Sequence, residues 1–199
     1  KLEKPVTVVY DPSEHSKQAE LVEMLTAVAE ASSRILLRSS GSRSEAPRFA
    51  VSAEGKKPSI RFTGIPGGHE FSSLVLAILN ADGKGKMPDA GIVARVRRLK
   101  GPVRLRTVMS LSCENCPGVV QALNLMAVLH PDFEHEAVDG EFIAEEVERL
   151  KIQGVPSVLA GEKLVSSGKI AFVDLLEKLE KQFGSEAAPA AEARDLGDY

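Results

Sequence analysis

The sequence predicts an α/β fold made of two fused units of one β-α-β-α-β-β-α plan, the first of them degenerate, packed as one compact module. Two observations carry this. Hydrophobic periods alternate between strand-like and helix-like in the same order in both halves of the 199-residue chain. Where the second helix of the first half belongs, the chain instead runs Ser39-Ser40-Gly41-Ser42-Arg43-Ser44, a loop by composition.

In the second half, strand periodicity covers Val103 to Met109 and helical periodicity runs from Cys116 to Leu129, where Pro131 stops it. A strand over Phe133 to Val138, a helix over Phe142 to Ile152 and a Gly154-Val155-Pro156 turn follow. Short strands over Ser157 to Leu159 and Lys163 to Val165 then lead into an amphipathic helix over Ile170 to Gln182. The first half reads as a strand over Val6 to Tyr10, a helix over His15 to Ala31, strands over Ile35 to Arg38, Phe49 to Ala53 and Ser59 to Thr63, and a helix over His69 to Ala81. Phe62, Phe71, Leu74 and Leu76 are its core candidates. Ile92, Val93, Val96 and Leu99 at helical spacing mark a helix between the units. The expected organisation is a cysteine-free unit over 1–86, a connecting helix within 87–100, a cysteine-bearing unit over 101–183 and a linker over 184–199.

Composition narrows the function classes. A formal net charge of -3 gives no electrostatic reason to expect nucleic acid or an anionic membrane surface as partner. No apolar run approaches the roughly 20 residues of a membrane span, and no signal-peptide pattern opens the chain, so the expected compartment is the cytoplasm. The start at Lys1 and the Ala/Glu/Pro composition near the end read as a fragment of a longer protein.

Chemistry points to the two cysteines. A structural disulfide is improbable in a reducing compartment, so Cys113-Glu114-Asn115-Cys116 is either redox-active or metal-binding. The zinc alternative has a matching spacing, Cys113-x2-Cys116-x13-His130-x4-His135. The helix between the pairs removes it, because 13 residues at helical rise place His130 about 20 Å from Cys116. For redox chemistry the spacing is apt, since residues three apart at a helix start approach closely enough to open and close a disulfide. Cys113, facing solvent at the positive end of the helix dipole, is the attacking sulfur and Cys116 the resolving one. Pro117 sits in the first turn, where its missing N–H costs nothing. Glu114 places a like charge beside the Cys113 thiolate and makes the pair a stronger reductant.

Residues 110–117 (Ser-Leu-Ser-Cys-Glu-Asn-Cys-Pro), the run Val120 to Leu129, Gly154-Val155-Pro156, Gly68-His69-Glu70-Phe71 and Ser73 to Ala77 together resemble the N-terminal domain of the alkyl hydroperoxide reductase flavoproteins, the family of F subunits. The resemblance implies two fused thioredoxin-like folds with one active Cys-x-x-Cys. It implies no cofactor in this stretch, with FAD and NADH held by a flavoprotein domain beyond it, near which Arg194 to Tyr199 would lie. Electrons would pass from that domain's dithiol to Cys113 and Cys116 and on to an oxidised peroxiredoxin, in a full-length parent expected to be homodimeric. Pro156 is then the cis-proline facing the disulfide, whose neighbouring backbone pairs with a partner segment, and Glu70 a proton relay to Cys116 across the interface between units. Glu114 departs from the His expected at that position of the family.

Other features carry less. Arg95, Arg97, Arg98, Lys100, Arg104 and Arg106 form a basic run that reads as a solvated face before it reads as a dock for an acidic partner. Gly83-Lys84-Gly85-Lys86 lacks the Ser/Thr and context of a phosphate loop and reads as a turn. Two rival functions remain: a free-standing disulfide oxidoreductase of broad specificity, and a redox-inert interaction module.

Overall fold

Eight strands form one mixed sheet, in the computed structural model that describes residues 1–187. In chain order the elements are β1 (Val6–Tyr10), α1 (Gln18–Glu30), β2 (Ile35–Ser39), β3 (Arg48–Ala53), β4 (Ile60–Thr63), α2 (Phe71–Ala81) and α3 (Ala90–Arg97). Then come β5 (Val103–Met109), α4 (Cys116–Leu129), β6 (Phe133–Asp139), α5 (Ala144–Arg149), β7 (Ser157–Ala160), β8 (Lys163–Ser167) and α6 (Phe172–Phe183). The strand order is β2-β1-β3-β4-β6-β5-β7-β8. Each quartet has one parallel pair followed by two antiparallel ones, so the two halves repeat one plan. They join through a parallel pairing of β4 with β6, from Ile60 opposite His135 to Thr63 opposite Val138. Two sheet edges that would otherwise be open close on each other there.

Strand alternation sorts the sheet's two faces. Leu105, Phe62 and Phe49 point to the face covered by most of the helices, where the Phe49 and Phe62 rings stack 5.0 Å apart. On that side α2 of the first unit packs against α4 of the second. Beneath α4 lies a buried polar knot: His135 on β6 meets Thr107 Oγ1 and Asn124 Oδ1, each at 2.7 Å. Burial pushes the imidazole down from 6.5 to about 3, so it is neutral. A group depressed in the native state contributes stability that is present above pH 6.5 and lost as acid drives toward pH 3. Unfolding free energies by urea titration are therefore expected to fall between about pH 6 and about pH 4, and Thr107→Val, which orphans one ring nitrogen, to cost about 1–3 kcal/mol at about pH 7.

The helix expected over 142–152 is shorter than the sequence pattern implies. Residues 140–143 form a 3-10 turn capped by Asp139, whose carboxylate accepts the Glu141 N–H at 3.1 Å, and only 144–149 are α-helical. Its end is fixed by Lys151 at φ 55°, with Ile152 N–H donating to the Val147 carbonyl and Lys151 N–H to that of Glu148. No helix intervenes between β2 and β3, as the Ser-rich loop predicts. Phe71 and Leu76 are corrections. The inward stripe of α2 is Ser73, Leu74, Ala77 and Ile78, which leaves Phe71 44% exposed and Leu76 only half-buried. Phe71 and Val75 instead border an apolar groove of about 520 Å³ with Met24 and Val28 of α1.

The basic run is largely neutralised. Arg95 pairs with Glu180 of α6, Arg104 with Asp132 and Glu134, and Arg106 with Glu146 of α5. Residues 184–186, assigned to a linker by composition, are tied back: Lys100 N–H donates to the Gly184 carbonyl, Glu186 N–H to that of Arg98, and Ser185 bridges Leu99. Residues 188–199, including the rest of the expected linker and the Arg194–Tyr199 ending, lie outside the described residues. Among the described residues no helix is long and apolar enough to cross a membrane.

Candidate redox site

The site forms where β5 ends and α4 begins. Residues 110–115 turn the chain, and α4 starts at Cys116 with Pro117 behind it, so Cys113 precedes the helix by three residues and Cys116 is its first. The helix begins where the sequence pattern places it, and this leaves its first free N–H groups aimed at the loop. Cys116 N–H donates to Cys113 Sγ at 3.1 Å. The two sulfurs are bonded, with Cα atoms 5.5 Å apart. Cys116 is fully buried in the core while Cys113 is half-buried at its edge. Only one sulfur is therefore open to a partner, and the same helix-end donor that now touches Cys113 Sγ would hold its thiolate.

Val155-Pro156 enters the site from the turn before β7. The Val155–Pro156 peptide is cis, and the Val155 carbonyl oxygen lies 3.8 Å from Cys113 Sγ. Glu114 is exposed in the loop between the sulfurs. An exposed like-charge neighbour is worth at most about 1 kcal/mol. Glu114→Gln is accordingly expected to make the couple about 10–20 mV more oxidising in a thiol-buffer titration.

The cysteine-free unit reaches into this site. Its 3-10 turn, Gly68–Glu70, packs against α4, and His69 N–H donates to the Leu111 carbonyl at 3.1 Å, two residues before Cys113. Gly68 holds φ +54° with room for no side chain, since a Cβ there would stand 2.8 Å from the same Leu111 oxygen. Glu70, also on this turn, is fully buried. Ser73 Oγ donates to its Oε2 at 2.5 Å, and Gln121 of α4 donates to Ser73 Oγ at 3.2 Å, so a chain of hydrogen bonds crosses the interface between units. Glu70 Oε1 is buried without a hydrogen-bond partner. Desolvation pushes this carboxyl up from 4.5 to about 7, with the Ser73 hydroxyl opposing. A pKa raised on folding means that the native state holds a proton the unfolded chain releases, so stability is lost as pH rises from about 4.5 through about 7. Glu70→Gln should raise the unfolding free energy by up to about 3 kcal/mol at about pH 8 and leave it near wild type at about pH 4.

His130 and His135, the imidazoles of the rejected zinc spacing, are occupied elsewhere: His130 Nε2 lies 2.7 Å from the Leu99 carbonyl, and His135 sits in the knot under α4. Among the described residues no cluster of His, Cys, Asp and Glu is arranged to hold a metal. Sequence reading missed Gly68, Leu111, Ser73 and Gln121. The Gly67-Gly68 pair was the available signal, because adjacent glycines mark a place where another backbone comes close.

Fold and site together define a thioredoxin-type dithiol/disulfide module with a second, cysteine-free unit fused to it. The profile of the thioredoxin domain family matches residues 106–181. The alkyl hydroperoxide reductase F subunit of Pseudomonas putida is 37% identical over 194 residues, covering 98% of this chain and 37% of that protein. The Escherichia coli K12 protein of the same name is 35% identical over 199 residues, covering 100% of this chain and 38% of its own length. The solved N-terminal domain of the alkylhydroperoxide reductase AhpF of Enterococcus faecalis matches with TM-score 0.83 at 29% identity, over 90% of this chain and 92% of that one. A protein disulfide oxidoreductase from Aeropyrum pernix has the same fold, with TM-score 0.80 at 21% identity over 94% of this chain and 90% of that one. The chain belongs to the family of alkyl hydroperoxide reductase F subunits, and it spans little more than a third of the length of the curated relatives it matches.

Proposed function

We propose that this chain is the electron-carrier part of a peroxiredoxin reductase, passing two electrons from a flavoprotein dithiol to an oxidised peroxiredoxin. The observation that carries the reading is the pair itself, one sulfur sealed in the core at the start of α4 and one half-buried in the loop that precedes it. In the reduced form the Cys113 thiolate attacks a sulfur of the partner's disulfide, forming a mixed disulfide and releasing one partner thiolate. Cys116 gives its proton to the Glu70 carboxylate and attacks Cys113 Sγ, releasing the second thiolate and closing the Cys113–Cys116 bond. The partner gains two electrons and this chain loses two. The Val155 carbonyl beside Cys113 seats the partner's segment as an added strand, with Pro156 fixing that backbone. NADH, through FAD held outside this chain, restores the dithiol, in the cytoplasm and in a homodimeric parent.

A coupled assay of peroxide reduction with the parent protein and a two-cysteine peroxiredoxin tests this. Turnover at a rate far above that of insulin disulfide reduction is expected. Equal rates on both would favour the broad-specificity oxidoreductase, and no turnover with either would favour the inert module.

A further inference from the structure

The open face of the first unit differs from its counterpart in the second by one helix. In the second unit α5 lies on the sheet face opposite α4, held by ion pairs of Arg106 with Glu146 and Arg149 with Glu162. The first unit has only the loop 40–47 in that place. One row of outward residues crosses both units: Arg38 on β2, Val9 on β1, Ala50 on β3, Arg61 on β4, Glu136 on β6 and Arg106 on β5. Glu136 is committed, accepting from Thr63 Oγ1 at 2.5 Å and facing Arg48 at 3.6 Å. Arg38 and Arg61 have no hydrogen-bond or ion-pair partner among the described residues, although Arg61 is half-buried. Arg48 and Arg61 both border two adjoining hollows of about 230 and 270 Å³ on this face.

We propose that this face is a docking site for an acidic amphipathic helix of a partner protein, its carboxylates pairing with Arg61 and Arg38 as Glu146 pairs with Arg106. The dimensions fit. Arg38 and Arg61 are three strands apart, about 14 Å, which spans one helix about 10 Å across lying along the strands. Its apolar stripe would rest on half-buried Val9 between the two guanidinium groups, above Ala50, which is only 8% exposed at the floor of the smaller hollow, and the pairing would satisfy a half-buried Arg61 that now lacks a carboxylate. Glu134 and Glu136 on the same face are already paired, Glu134 with Lys57 and Arg104 and Glu136 with Arg48.

The test is a two-dimensional NMR titration of the oxidised chain with a stapled helical peptide that bears a Leu stripe flanked on both sides by Glu. Saturable shifts centred on Val9, Ala50 and Arg61 are expected, with affinity reduced at least tenfold by Arg61→Glu. Arg38→Glu, at an exposed position that folding does not need, should also weaken binding, so a folding defect in the first variant would not leave the matter open. Absence of saturable shifts on this face up to millimolar peptide would overturn the proposal. So would equal binding of a Lys-for-Glu peptide, tighter binding of a thymidine oligonucleotide to the same residues, or affinity unchanged in both variants.

Discussion

Cys113→Ser is expected to abolish disulfide exchange, lowering the rate with any disulfide substrate at least about a thousandfold, because the only sulfur a partner can reach is removed while the buried Cys116 cannot substitute for it. Cys116→Ser gives the complementary result. The Cys113 thiolate still attacks, but nothing resolves the product, so a mixed disulfide accumulates and is visible on non-reducing gels and by intact mass. Normal turnover by Cys113→Ser, or a mixed disulfide carried by residue 116 in that variant, would remove the assignment of attacking and resolving roles. Neither substitution touches the hydrophobic core beyond one sulfur, so near-wild-type circular dichroism is expected alongside the lost activity.

The second large effect is expected at a residue with no reactive group. Gly68→Ala must hold a left-handed backbone that costs an L-residue about 1–2 kcal/mol, and its methyl would meet the Leu111 carbonyl at 2.8 Å. Since that oxygen also accepts the His69 N–H, relief of the clash breaks the contact or moves residues 110–112, which position Cys113. A loss of about 2–4 kcal/mol in urea unfolding is expected. A change in the Cys113 alkylation rate against pH should accompany it, which mere destabilisation would not produce. An unchanged alkylation profile would mean that the turn supports the fold without setting the geometry of the sulfurs.

Local pattern revealed most of the elements because each is governed by short-range physics. The bounds of β5 and α4 follow from alternation in Val103–Arg106 running into apolar Val108 and Met109, and from Pro117 and Pro131 bracketing a helical stripe. The cysteine pair was legible for the same reason, since its meaning depends on one junction. Where the sequence misled, a longer-range choice had been made. Phe71 is as apolar as Leu74, but the phase of α2 is set by its packing on α4 and turns Phe71 outward. The end of α5 depends on Lys151 adopting a conformation that composition does not announce. Contacts between units were the least visible: nothing in Gly68, Ser73 or Gln121 taken singly indicates that they meet the redox loop from the far side of an interface.

The β4–β6 pairing carries a consequence for how such a chain can be divided. A shortened protein beginning near Met87 would keep both cysteines yet expose the backbone of β6 along the stretch opposite Ile60–Thr63, with the apolar flank of α4 uncovered next to it. Such a piece would present a sticky ribbon to its own copies, and light scattering should find it more self-associated than the intact chain. The cysteine-free half thus acts as a permanently bound escort that covers the β6 edge of its neighbour.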